Sequence, residues 1–556
     1  MGRAAKAVIG GVCAAMFSVA GYGVYNIVGA LSNGHQGSTA TTGTGGTESA
    51  QPLTASDQKP SADQARQAAQ AFLDAWAKGD TAAAAGQTDD PAAAEQGLSD
   101  YRDDLRLASL TLEPTDTPAP TPHDTPPPGA VPVGFHAGAR LTGLGTWAYD
   151  GTVRVVRTTD GRTVVHWSPS VLHPRLTEET VLSAREVPPA RPKVTDSAGR
   201  SIDAYPSLKA LAPEFRKALD DQPGGTPGKG VVIAGAESGN ALRTLHTFVK
   251  AKPGEPLKLT IDGRLQKAAE QAVAAQGQGG GRLASLVAVE PSTGRVLALA
   301  NSQPGFNAAF KGMTAPGSTM KIITAAALLE RGVAPGTPAP CAPQLYVYGK
   351  EFHNVEGSSN PGATLRDDFA ASCNTGFINL RDKLGDGDLT AEARDVFGIG
   401  LSWHTGLANM DGSVPVPSGD EVEKAAAMIG QGRVQMNPLA MASVAATVRS
   451  GVFRQPILLP GLAQQPAARP LSSGVAEQLR GLMHTTAVSG TAAGVMSGLG
   501  GYPTGAKTGT AEVGSTTDSW FTAYQGDVAA AAMVQGGGHG SDAAGPAVRA
   551  VLAADR

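Results

Sequence analysis

The chain has 556 residues, 41% of them hydrophobic and 17% charged, with a formal net charge of −4. This is a globular balance with room for roughly three or four domains, and its slight acidity argues against a nucleic-acid partner. Glycine (71) and proline (39) are high and aromatics low, which indicates long linkers rather than an unusual fold.

Arg3 and Lys6 precede an uncharged run from about Ala7 to Leu31, which includes Val8, Ile9, Met16, Phe17, Val24, Ile27 and Val28. Roughly 20 apolar residues span a bilayer, and basic residues ahead of the run keep the start in the cytoplasm. Residues 1–31 are therefore expected to form a cytoplasmic tip and a single transmembrane anchor, with the remainder outside the cytoplasm. A cleaved signal peptide is the alternative, but no clean small-x-small site follows a short apolar core. Val12 suits a lipidation site ahead of Cys13 poorly, so Cys13 is read as a membrane residue.

Residues 32–60 are rich in Gly, Ser, Thr and Gln and hold almost no large apolar side chains. Such a stretch cannot bury enough surface to fold and is expected to be a flexible linker. From Ser61 the pattern becomes helical: Ala65, Ala69, Phe72 and Trp76 recur at helical spacing, with Ser61 or Asp63 as a cap. A Pro/Thr-rich interruption spans Pro114 to Pro132. Two alternating segments, Thr152–Arg157 and Thr163–Trp167, then flank Thr158-Thr159-Asp160-Gly161-Arg162, whose Asp-Gly marks a hairpin turn. Residues 61–167 thus read as a small α+β module with no catalytic constellation, a spacer that lifts the next domain off the membrane.

Residues 168–256 mix Pro-rich turns, as at Val187–Pro192, with strands such as Val231–Ile233, and are expected to form a pedestal or dimerisation-type domain. His173 and His246 stand alone there and read as structural residues, so no metal site is expected.

A long domain spans 257–556. Asp262 opens a helix through about Ala275, and Leu283–Glu290 with Arg295–Ala300 form an apolar hairpin around Pro291–Gly294. Further helices are expected over Leu365–Ala371, Leu380–Leu384 and Pro438–Val448, with strands returning after Gly505. Between the hairpin and these helices lies Ala315-Pro316-Gly317-Ser318-Thr319-Met320-Lys321, followed by the apolar run Ile322–Leu329. Pro and Gly end the preceding segment, and the Ala/Leu-rich run favours a helix, so Ser318 belongs at its start. Residues three apart share a helix face, which brings the Lys321 amine within reach of the Ser318 hydroxyl.

That pairing offers a nucleophile and its base. A lysine can take the proton of a serine only if burial or a neighbouring cation leaves part of it neutral. By itself the pattern is weak, since Ser56-Asp57-Gln58-Lys59 matches it too and a helix cap followed by an exposed lysine would look the same. Two further motifs add weight. Ser372-Cys373-Asn374 follows a helical stretch, and Lys507-Thr508-Gly509-Thr510 opens a strand-like one. In these, Ser372 can relay a proton to a leaving amine, and the Asn374 carboxamide can hold Lys321 and a substrate amide together. Lys507 with Thr508 and Thr510 suits a terminal carboxylate, Gly509 would leave the strand open to an extended peptide, and Lys507 near Lys321 would help to keep Lys321 neutral. Ser358-Ser359-Asn360 is a rival for the second motif, but it reads as loop rather than as the end of a helix.

Cys341 and Cys373 both fall outside the membrane run, where an oxidising compartment lets two cysteines pair. Such a bridge would be worth about 3–4 kcal/mol in the chain-entropy model. Two unrelated buried thiols are the alternative.

In this order the three motifs resemble those of the active-site serine acyltransferases, the penicillin-binding proteins and serine β-lactamases. Thr508–Glu512 and Asp518–Tyr524 resemble the paired edge strands of a penicillin-binding transpeptidase domain. Ile429-Gly430-Gln431-Gly432 with Asn437-Pro438-Leu439, and Ser489-Gly490-Thr491-Ala492, resemble its intervening segments. The 61–167 module resembles the cone-shaped nuclear-transport-factor-like domain ahead of some class B penicillin-binding proteins, and Trp167-Ser168-Pro169-Ser170 with His173-Pro174 resembles the segment after it in the low-affinity resistance branch. Lys193–Arg200, by contrast, is a poor version of the usual class B pedestal opening.

The resemblance implies a multidomain α+β protein whose catalytic part has the penicillin-binding transpeptidase and serine β-lactamase-like fold, an antiparallel sheet flanked by helices beside an all-helical lobe. It implies that Ser318 is acylated, that Lys321 is the base, that Ser372 and Asn374 relay and position, and that Lys507, Thr508 and Thr510 hold the carboxylate. The backbone N–H groups of Ser318 and Thr510 would form the oxyanion hole. Peptidoglycan stem peptides and β-lactams are the implied ligands, a membrane glycosyltransferase the implied partner, and no cofactor is implied. Peptidoglycan D,D-transpeptidation is the expected reaction. A D,D-carboxypeptidase shares its acylation step, and a degenerate cell-wall scaffold is the non-enzymatic alternative.

Overall fold

The computed structural model describes residues 52–220, 224–355 and 358–555. The apolar run expected to cross the membrane, with Cys13, lies outside them, as does the linker through Gln51. Among the described residues no helix is long and apolar enough to cross a membrane.

The chain divides into two compact units, the first running through Ser183 with Ile233–Arg243, the second comprising Ala184–Val232 and Thr244–Arg556. In the first unit, helices Ala62–Lys78 and Pro91–Asp104 accompany a four-stranded antiparallel sheet of Leu107–Thr115, Val131–Leu141, Gly145–Arg157 and Thr163–His166. Ser61 caps the first helix in a full capping box with Gln64, which satisfies two end N–H groups reciprocally. Phe72, Trp76, Tyr101 and Phe135 are buried, with Trp76 edge-on to both Tyr101 and Phe135. The hairpin at Thr158–Arg162 forms where Asp-Gly marks it. The stretch expected to be a linker through residue 60 is paired at its distal end. Leu53 and Ser56 donate backbone hydrogen bonds to Asp89 and Arg157, so main-chain pairing orders residues that bury little apolar surface.

The second unit is built on a five-stranded antiparallel sheet in the spatial order Val296–Asn301, Ala284–Val289, Val528–Val534, Thr516–Gln525, Thr504–Val513. Alternation sorts its side chains to two faces. Leu286, Ala288, Phe521 and Ala530 meet Leu265, Val273, Val548 and Val551 of helices Gly263–Gln276 and Ala544–Ala554. Val287, Val289, Trp520 and Tyr524 belong to the larger core with Met441 and Val444 of helix Pro438–Ser450. Both faces are covered, so the strands read as continuous apolar runs. Thr504–Val513 is the edge strand, whereas Thr516–Gln525, expected at the edge with it, is internal.

One local expectation needs correction, and helices appear in two places where none was expected. The expected helix at Leu380–Leu384 is only a 3-10 turn at Arg381–Lys383; the α-helix is Asn374–Asn379, so Ser372 and Cys373 follow helix Leu365–Ala371 as expected and also lead into a second helix. A short helix, Ala308–Lys311, lies between the hairpin and Ser318. Within 168–256 the strands Thr180–Val187, Gly228–Gly235 and Ala241–Val249 are joined by helices Pro206–Ala210 and Ala212–Asp220. Leu208 and Phe215 from these helices enter the same core as the catalytic helices.

Candidate active site

Gly317–Met320 forms a 3-10 turn that runs into helix Lys321–Glu330. Gly317 takes φ +52, and a Cβ there would lie 2.3 Å from the Thr510 carbonyl oxygen. Its N–H donates to the Gly430 carbonyl over 3.0 Å. The nucleophile turn is thus wedged between the edge strand and the Ile429–Gly432 segment, with glycine required by both conformation and space.

Lys321 is fully buried. Its Nζ lies 3.0 Å from Ser318 Oγ, 2.7 Å from the Ser372 carbonyl oxygen and 2.7 Å from Asn374 Oδ1. An ammonium would donate to all three. A neutral amine has two N–H groups for the Ser372 carbonyl and Asn374 and keeps its lone pair for the Ser318 hydroxyl proton. Burial first, and the charge of Lys507 second, push the Lys321 pKa well below the usual lysine range, while Asp368 pulls the other way. The site therefore favours the form that can act as a base.

Ser372 sits at the end of helix Leu365–Ala371 with φ 62 and ψ 31, a left-handed conformation uncommon for a residue with a side chain. This bend sends its carbonyl to Lys321 and its hydroxyl to Lys507, whose Nζ donates to Ser372 Oγ over 2.8 Å and to the Thr508 carbonyl over 3.1 Å. Lys507 is fully buried, and burial lowers its pKa to about 7. Its amine therefore meets the Ser372 hydroxyl from inside the fold, and Lys507 is not among the residues lining the cleft.

The cleft, about 320 Å³, is lined by Ser318, Ser372, Asn374, Thr508, Gly509 and Thr510 among others. Thr508 and Thr510 lie two apart on the edge strand and share its cleft face. Gly509 also serves a need beyond the one expected. A Cβ there would lie 2.8 Å from the Pro316 carbonyl oxygen and 2.9 Å from Thr319 Cγ2, so the missing side chain lets the strand pack on the nucleophile turn. Of the rival motif, Ser358 lines the cleft, but Asn360 pairs through its backbone with Cys341, away from Lys321.

Cys341 and Cys373 are joined by a disulfide with a Cα–Cα distance of 6.2 Å. Two further residues complete the frame: Asn354, passed over in the sequence, and Thr491, noted there only as part of the segment Ser489–Ala492. Buried Asn354 accepts from the backbone N–H of Asn374 (2.8 Å) and Thr375 (3.2 Å) and donates to the carbonyls of Ala342 (2.6 Å) and Ser358 (2.8 Å). Thr491 shares a 2.7 Å hydrogen bond with the Thr508 hydroxyl. An asparagine beside a hairpin carries no local signal of such contacts, and the Ser489–Ala492 segment did not show which hydroxyl Thr491 meets.

A serine with a buried, deprotonatable lysine, a second serine–lysine pair and an open edge strand define an active-site serine acyltransferase. Residues 284–553 match the penicillin binding protein transpeptidase domain, and residues 64–180 match the NTF2-like N-terminal transpeptidase domain. The chain belongs to the penicillin-binding protein transpeptidase family, in the class B arrangement with an NTF2-like domain ahead of the transpeptidase domain. It is 28% identical over 415 residues to the peptidoglycan D,D-transpeptidase PbpA of Mycolicibacterium smegmatis, an alignment covering 64% of this chain and 84% of that one. It is 27% identical over 414 residues, with the same coverage, to PbpA of Mycobacterium tuberculosis. The ceftriaxone acyl-enzyme structure of penicillin-binding protein A from M. tuberculosis is similar with a TM-score of 0.50 and 30% identity, covering 55% of this chain and 81% of that one. Pseudomonas aeruginosa PBP2, at 23% identity and a TM-score of 0.54 over 66% of this chain and 96% of that one, shares the fold.

Proposed function

We propose that the protein is a peptidoglycan D,D-transpeptidase that cross-links stem peptides through an acyl-enzyme on Ser318 and is acylated at the same residue by β-lactams. The carrying observation is the 3.0 Å contact between Ser318 Oγ and the buried amine of Lys321. The relatives named for this activity, and a related protein captured as a β-lactam acyl-enzyme, support it.

The donor peptide lies along the free edge of Thr504–Val513, its terminal carboxylate against the Thr508 and Thr510 hydroxyls. Ser318 Oγ attacks the penultimate D-alanine carbonyl as its proton passes to Lys321 Nζ. The backbone N–H groups of Ser318 and Thr510 stabilise the oxyanion. As the C–N bond breaks, the leaving amine takes a proton from Ser372 Oγ, which Lys507 supplies from behind. Asn374 holds Lys321 in line, and the amine of a second stem peptide then takes the acyl group and frees Ser318.

The division of the chain is part of the same proposal: an anchor over 1–31, a linker to about residue 60, the NTF2-like domain over 61–167, a pedestal over 168–256 and the transpeptidase domain over 257–556. Arg3 and Lys6 before the apolar run support a single-pass orientation with the catalytic domain outside the cytoplasm. No glycosyltransferase signature stands before residue 257, which supports a separate membrane glycosyltransferase as partner.

Intact-mass detection of a penicillin adduct on the 556-residue chain, beside Ser318→Ala, tests the reading. One long-lived adduct, lost in the variant, is expected. An adduct that persists in Ser318→Ala would remove Ser318 as the nucleophile, and none on the native protein at high penicillin would favour a scaffold.

A further inference from the structure

Asp368 lies one turn before Ser372 on helix Leu365–Ala371 and is 1% exposed. Among the described residues, no group donates a hydrogen bond to either of its carboxylate oxygens. A carboxylate with no donor is costly inside a protein and is seldom left so without a charge to answer. Its main chain is fully engaged: the carbonyl oxygen accepts from the N–H of both Ser372 and Cys373.

The fold makes room for this carboxyl. A Cβ on Gly376, in helix Asn374–Asn379, would lie 1.9 Å from Asp368 Oδ2, so only glycine there lets the group sit where it does. The neighbouring sulfurs of Cys341 and Cys373 lie within 4.8 Å of it. They are bonded to each other and neither titrate nor offer two ligands to a metal. The charged groups bearing on the carboxyl are Lys321, which favours its ionised form, and Asp367, which opposes it. Those bearing on Lys321 are Lys507 and Asp368, and they act in opposite senses. Among the described residues, Asp368 is thus the one carboxylate whose charge bears on the buried Lys321 amine.

We propose that Asp368 is a positioning residue for the acyl transfer: the buried counter-charge that sets the basicity of Lys321 and stabilises the ammonium formed when Lys321 takes the Ser318 proton. The inference rests on the acyl-enzyme reading of Ser318. Without a counter-charge, burial and Lys507 would hold Lys321 neutral yet make it too weak a base. With it, the proton that leaves Ser318 Oγ is bound at Nζ as the Oγ–carbon bond forms, and no other reactant is needed. Burial also raises the Asp368 pKa to about 7, so this balance shifts within the working range of pH.

The test is the pH profile of acylation by a fluorescent penicillin on the 556-residue chain, for the native protein and Asp368→Asn. Loss of the carboxylate lowers the Lys321 pKa further. The acid limb should therefore move down by about one pH unit or more, and the limiting rate should fall roughly tenfold for lack of a partner to the developing charge. A purely structural role would lower the thermal midpoint without moving the limb. Should Asp368→Asn fail to fold, Asp368→Ala with Gly376→Ala fills the cradle with a methyl group and carries the same test. Profiles superimposable on the native one in the folded variant would overturn the proposal. Failure of the native protein to label would instead count against the acyl-enzyme reading.

Discussion

Lys507 and Ser372 are joined by a 2.8 Å hydrogen bond from Nζ to Oγ, while the carbonyl of the same serine takes a 2.7 Å bond from Lys321. Ser372 therefore stands between two buried amines, one on its side chain and one on its backbone.

In the proposed mechanism Lys507 acts on the leaving-group proton more than on substrate binding. Lys507→Ala should slow penicillin acylation by roughly 100-fold or more, the usual scale for a lost proton-transfer group, whereas Thr508→Val should chiefly raise the concentration needed for half-maximal labelling. Second-order and limiting acylation rates for the two variants separate these effects.

Stability should pass through a shallow minimum near neutral pH. Lys507 loses its proton near pH 7 in the native state but near 10.4 when unfolded. Between these values the unfolded state binds more protons, so stability rises with pH. Asp368, raised to about 7, keeps its proton in the native state where the unfolded chain has lost it, so its contribution falls as pH rises from about 4 to 7. Lys321, also held well below the usual lysine range, adds to the alkaline rise, so thermal midpoints should show that rise reduced in Lys507→Met and the acid-side fall removed in Asp368→Asn.

At Gly509 a methyl group meets the Pro316 carbonyl, Thr319 and Trp520, all within 3 Å. Two of these are backbone or Cβ atoms that cannot swing aside. Gly509→Ala should cost about 1–3 kcal/mol and slow acylation by pushing the edge strand off the nucleophile turn, which denaturation and labelling measured together would reveal.

Loss of the Cys341–Cys373 bridge frees a loop of 32 residues. Replacement of both cysteines by serine should lower stability by about 3–4 kcal/mol. Because Cys373 stands between Ser372 and Asn374, acylation should slow as well. Urea unfolding of the double variant, beside native protein with and without reductant, gives the comparison.

Asn354 ties both sides of that loop together. Asn354→Ala strands two backbone N–H groups, those of Asn374 and Thr375, in the interior. A cost of about 2–4 kcal/mol is expected from groups left unsatisfied, with a matching loss of labelling at elevated temperature. A variant as stable and as reactive as the native protein would show that the carboxamide is dispensable.

Much of this was legible in the sequence wherever the cause is local. Ser61 and Asp262 cap helices because a side-chain oxygen next to free N–H groups needs only three residues of context. Asp160-Gly161 turns a hairpin, and the Ser318–Lys321 spacing puts the amine on the hydroxyl, because turn and helix geometry fix both. The order of the three motifs identified the family. Sequence did not yield the strands Leu107–Thr115 and Val131–Leu141, whose Pro- and Gly-bearing stretches are held by cross-strand pairing. Nor did it yield the helices of 206–220, where Pro206 and Pro213 stand in first turns.

What only the tertiary structure decided is where long-range neighbours point. Sequence placed Lys507 beside the site; only the packed structure turned its amine inward, over the Phe369 ring, to Ser372. Gly509 was an open strand position until the Pro316–Thr319 turn was seen lying on it. Asp368 was one of two acids on a helix, and its burial depends on Gly376, eight residues on and in the next helix. Spacing along one element is set by backbone geometry and survives in the sequence. The dielectric and charge around a buried group are set by segments far apart in the chain, and they exist only once these segments meet.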